Sequence, residues 1–83
     1  KQPAVLAGKS KKIAVLPFAN ITGDPENEYF CDGMTEQLIT NLSRVPELKV
    51  IARTSVMRYK NTEKDIRQIS KELDVKYVLE GSI

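Results

Sequence analysis

The sequence predicts an α/β fold, a small β-α-β-(α)-α-β unit whose three-stranded, mainly parallel sheet is covered by helices. Three observations point there. Ile13-Ala14-Val15-Leu16 is a short, largely β-branched apolar run closed by Pro17, which suits a strand buried on both faces. Phe30, Met34, Leu38 and Leu42 then recur at every fourth position, the spacing of a helix laid on a sheet. Two more apolar runs, Leu48 to Ala52 and one opening at Tyr77, stand far enough along the chain to be reached by crossovers between parallel strands.

Taken in order, Lys1 to Lys11 carries Pro, Ala, Gly, Ser and three Lys with no period, and reads as a flexible linker ahead of a single domain over residues 12–83. Pro17 has no N–H to donate, so the first strand should lose its pairing there. Ala19 to Asp24 is a turn-forming loop, after which Asp24 can cap a helix with Pro25 at its first position and Glu26 and Glu28 at the positive end of its dipole. That helix is expected to reach about Arg44, with Cys31, Ile39 and Val45 widening its apolar stripe. Gly33 within it implies either a break or the close approach of another backbone. Pro46 prevents continuation, and Leu48 to Ala52 forms the second strand. Thr54 or Ser55 is expected to cap a short turn containing Met57 and Tyr59. Thr62 with Asp65 three residues on resembles a capping box for a third helix from about Glu63 to Leu73. Its apolar side is Ile66, Ile69 and Leu73; Lys64, Arg67, Lys71 and Glu72 form the wet side. The final strand runs from Tyr77 to Ile83 with an exposed edge, consistent with a domain truncated on its C-terminal side and with a homodimer through that edge.

Composition excludes several chemistries. There is no histidine and one cysteine, which removes the commonest general base, the serine triad, an internal disulfide and any cysteine-based metal site. Neither GxGxxG nor GxxxxGK[ST] occurs, so those phosphate loops are absent. No run approaches the roughly 20 apolar residues of a membrane span. Residues 44–76 hold nine basic and five acidic side chains, a mild excess spread over helix and loop faces that reads as solvated surface, and no nucleic-acid partner is expected.

Asp24, Glu26, Glu28 and Asp32 lack calcium-loop spacing, and acids in a first helical turn have a structural reason to be there, so no metal is assigned. Cys31, on an apolar stripe, reads as core. The most suggestive polar group is Arg53-Thr54-Ser55 at the end of a parallel strand, because ligands of open α/β sheets bind beyond the carboxyl ends of strands. Asn20, Thr22, Gly23 and Asp24 should lie at the same end. These seven residues are the candidate ligand- or partner-binding set. The structural alternative makes Thr54 or Ser55 a helix cap and Arg53 a surface charge.

Ile13 to Phe18, Asn20 with Gly23-Asp24-Pro25, Glu28-Tyr29-Phe30 with Asp32 to Glu36, Val50 to Ser55, and Tyr77 to Ser82 together form a motif series over nearly the whole domain. In these it resembles the domain of bacterial multidomain signalling proteins that is similar to the N-terminal domain of the Tol β-propeller protein TolB. The resemblance implies a parent with an adenylate or guanylate cyclase domain, or a winged-helix DNA-binding domain, and tetratricopeptide repeats. It further implies a bacterial, inner-membrane-tethered parent with this domain in the periplasm, or alternatively in the cytoplasm. The expectation is a non-catalytic regulatory or protein-interaction domain that needs no cofactor and meets a protein partner or neighbouring domains. A small-ligand or anion sensor, and a nucleic-acid-associated module of a transcriptional regulator using Arg58, Lys60, Lys64, Arg67 and Lys71, are the alternatives.

Overall fold

Three strands lie side by side in one parallel sheet, in the order β2-β1-β3, in a computed structural model that describes residues 11–83. β1 is Lys11–Val15, β2 Leu48–Val50 and β3 Tyr77–Leu79. The helices are α1 (Glu26–Ser43), α2 (Arg53–Val56, continued by a 3-10 turn at Met57–Tyr59) and α3 (Ile66–Leu73). Lys11 already pairs with Leu48, so β1 takes in the last residue of the linker expected over residues 1–11; the rest of that linker lies outside the described residues.

β1 takes the centre because it is apolar toward both faces: Ala14 and Val15 are fully buried and Leu16 nearly so. Ala14, Val56 and Val75 form one cluster of the core; Leu16, Tyr59 and Ile69 form a second, and Leu73 and Val78 touch both. Pro17 does not end the pairing with the third strand. Leu16 N donates to Leu79 O, and beyond the proline Ala19 N donates to Gly81 O and Ile21 N to Ile83 O. The proline sits between these donors, at a position from which the pairing takes no N–H. β3 is regular only to Leu79, and Ser82 rejoins the sheet through a single parallel bridge to Ala19. Gly81 belongs to that bend, where a Cβ would lie 2.8 Å from the Phe18 ring.

Pro25 already has helical angles (φ −57°, ψ −27°) and Asp24 Oδ1 accepts from Glu26 N at 3.0 Å, so Asp24 caps α1 as its sequence suggests. The buried stripe is rotated from the expected one. Cys31 and Thr35 are the residues α1 buries completely, whereas Phe30 is 55% exposed. Two small side chains one turn apart bring α1 close to the sheet, and the Thr35 hydroxyl is needed there: it accepts from Phe18 N and donates to Cys31 O, each at 2.9 Å.

Gly33 neither breaks α1 nor admits a neighbour, since a Cβ there would meet nothing within 4 Å. Gly33→Ala should therefore stabilise the domain by about 1 kcal/mol, raising Tm by roughly 4–8 °C in a thermal melt. A fall in Tm would contradict the open helix face described here.

The expected caps of the other helices are corrected. Ala52 is the last extended residue before α2 and no side chain caps it, which places Thr54 and Ser55 inside the helix. α3 starts three residues later than expected because Asp65, not Thr62, is its cap: the Asp65 carboxylate accepts from Arg67 N at 2.8 Å. Thr62 instead folds the loop, its hydroxyl accepting from Lys64 N. Asp74, left-handed at φ 55°, closes α3 with Val75 N bonded to Ser70 O and Asp74 N to Lys71 O.

Candidate functional site

Both candidate segments lie where the sequence places them, beyond the carboxyl ends of β1 and β2, but their polar atoms are largely occupied. Asn20 Oδ1 accepts from Thr22 N at 3.1 Å and from the Thr22 hydroxyl at 2.6 Å, while Asn20 Nδ2 donates to Asp24 O at 2.8 Å. The same Thr22 oxygen accepts from Asp24 N and Asn27 Nδ2. Gly23 turns this loop at φ +80°, a left-handed angle that favours glycine. Asn20, Thr22, Gly23 and Asp24 thus make one self-tied turn delivering the chain into α1. Arg53 Nε meets Glu36 Oε2 of α1 at 3.0 Å, and Thr54 and Ser55 are exposed in the first turn of α2.

A cleft of about 160 Å³ opens elsewhere on the same sheet edge, between the ends of β1 and β3 and the loop before α3. Leu16, Tyr59 and Ile69 supply its apolar floor, and Asn61, Thr62, Lys64 and Glu80 its polar rim. Sequence reasoning missed it because a helix starting at Glu63 would have left no loop there. The available signal was Asp65 immediately before the first periodic apolar residue, Ile66, which is where a cap belongs.

Charged pairs brace the cleft from behind. Glu72 of α3 accepts from the Tyr59 hydroxyl at 2.7 Å, from Lys64 Nζ and from Gln68. The Tyr59 hydrogen bond, then that of Lys64, hold its carboxyl down at about 2. A carboxylate lowered in the folded state stabilises fully above its ordinary value of 4.5, and this contribution is lost as pH falls from there through about 2. Glu72→Gln should accordingly be less stable than wild type at neutral pH, with the gap closing across that acid window in urea midpoints. A gap independent of pH would contradict the assignment.

Lys60 reaches back to α1, its Nζ 3.0 Å from both Glu28 Oε2 and Asp32 Oδ1. The hydrogen bonds that Lys60 donates to Glu28 and then to Asp32 push its pKa above the ordinary lysine value. Two of the acids expected after Gly23 are thereby spent on one ammonium, and among the described residues no group of three or more metal-ligating side chains comes together. Arg58 lies 4.9 Å from the Tyr59 ring centroid and donates to its hydroxyl. Of the five basic residues weighed for nucleic acid, Lys60 and Lys64 are thus tied to carboxylates, and Arg67 and Lys71 are exposed on α3. Cys31 is fully buried and its thiol pKa is pushed up, by burial first and then by Glu28 and Asp32, which suits a core side chain better than a nucleophile.

No helix of the described residues is long and apolar enough to cross a membrane. No solved structure matches the chain. A protein of Rhizobium meliloti (strain 1021) named "Putative adenylate cyclase 3" is 61% identical over 71 residues; the match covers 86% of this chain, which spans only 12% of that protein's length. The family model described as HilA/YgeH-like transcriptional regulator, second domain, matches residues 9–83. The chain therefore belongs to the family of second domains of HilA/YgeH-like transcriptional regulators.

Proposed function

We propose that the chain is a non-catalytic regulatory and protein-interaction domain of a bacterial signalling protein of the adenylate-cyclase type. The observation that carries this reading is one domain matched under two different outputs: a transcriptional-regulator family over residues 9–83, and a cyclase-named protein in which the matched part is a small share of the whole. A unit common to both is suited to conveying a signal to whichever output it accompanies. The TolB-like architecture, the tetratricopeptide repeats and a periplasmic position in an inner-membrane-tethered parent are parts of the same proposal, carried by the motif resemblance. The test is direct. The purified chain incubated with ATP or GTP and magnesium forms no cyclic nucleotide; formation of either product would overturn the reading.

A second reading, a small-ligand sensor, is favoured by the cleft, which combines an apolar floor with the opposite charges of Lys64 and Glu80 at a sheet edge where ligands collect. Amide-shift titration with amino acids and with inorganic phosphate would show movement at Asn61 to Ile66 and at Glu80 and Gly81 under this reading. Spectra unmoved by both probes would remove it. A nucleic-acid role through the basic residues is tested by affinity that falls steeply with salt.

A further inference from the structure

The two edges of the sheet differ in what they present to a neighbour. β2 is only Leu48-Lys49-Val50, with Lys49 exposed at its centre, so an antiparallel copy centred there would set lysine against lysine. β3 has no such guard. Leu16 N donates to Leu79 O, so Leu79 faces β1, and by the alternation of a strand Val78 turns its own N–H and C=O outward. Tyr77 and Leu79 are 43% and 36% exposed, both on the face away from Val78.

We propose that β3 is a dimer seam that takes a second copy of this chain, antiparallel and centred on Val78. The sequence Lys76-Tyr77-Val78-Leu79-Glu80 is complementary to its own reverse. In that register Lys76 faces Glu80 of the second copy and Tyr77 faces Leu79, each twice by symmetry, giving two opposite-charge pairs on one face and two apolar pairs on the other. The products are a continuous sheet through both copies, cover for Tyr77 and Leu79, and closure that leaves no further strand to add at this seam. A shift of register by one residue loses the charge pairing and sets Tyr77 opposite Val78 or Glu80, so the pattern selects one arrangement.

The experiment is sedimentation equilibrium from micromolar to millimolar concentration, with hydrogen exchange on the same samples. Wild type dimerises and its Val78 amide gains protection as the dimer forms. K76E and E80K, changes at exposed residues, each weaken the dimer by about tenfold because like charges then face each other twice. The double variant K76E/E80K restores the opposite-charge pairs and returns the dimer to near wild-type strength, a rescue that damage to the fold would not give. A monomer at all concentrations, single variants as tight as wild type, or a double variant no better than the singles would overturn the proposal. So would a protected Val78 amide in a monomer, which would mean that another segment occupies the edge.

Discussion

Ile69→Ala will cost about 2–5 kcal/mol of folding stability, a large share of the roughly 4–12 kcal/mol that a domain of this length carries. Ile69 is 1% exposed and packs with Leu16 and Tyr59 in the second core cluster, which Leu73 and Val78 extend. Truncation removes buried methyl groups and leaves a void beneath α3. The control lies on the same helix. Ile66 is 36% exposed, so Ile66→Ala should cost less than half as much. Urea denaturation followed by circular dichroism separates the two, and equal losses would mean that α3 does not pack as described. Because Ile69 also floors the cleft, the variant is expected to loosen the loop from Asn61 to Asp65 before it unfolds the sheet.

Thr35→Val will be the most damaging change that leaves side-chain shape intact, at about 1–3 kcal/mol. Threonine and valine fill the same space, so packing hardly changes. What is lost is the hydroxyl that accepts from Phe18 N, and with it the bond that ties Phe18 to α1. An N–H stripped of its acceptor in a partly buried position costs more than the bond itself contributes. Thr35→Ser keeps the hydroxyl and gives up one methyl group, so it should be the milder variant in the same thermal melts. A valine variant as stable as wild type would contradict the role given to this hydroxyl.

Thr35 also marks where sequence reading stops. β1 was legible because a strand covered on both faces writes itself as an unbroken apolar run, and the caps at Asp24 and the stop at Pro46 are local signals that tertiary structure did not override. The face of α1 was legible only to within one position, since periodicity counts apolar residues and the most deeply buried residue beside Cys31 is polar. Choice between competing caps was not legible at all: Thr62 and Asp65 are both good cap residues, and the loop that has to cross the end of β1 decides for Asp65. The candidate site followed the same division. Its location at the carboxyl edge came from strand direction, which the crossovers imply. Its composition did not, because Lys64, Glu72 and Tyr59 meet only once α3 is seated on the second cluster.

The central functional claim is that this domain is a transferable regulatory unit with no part in the chemistry of its parent. The most direct measurement is cyclic-nucleotide output in the Rhizobium meliloti protein after the matching 71-residue segment is either deleted or replaced by the corresponding part of this chain. The account predicts that the replacement keeps the output of the parent, and that deletion changes its level without changing the KM for nucleotide. Deletion that abolishes turnover while the rest of the protein stays folded, or a replacement no better than deletion, would contradict it.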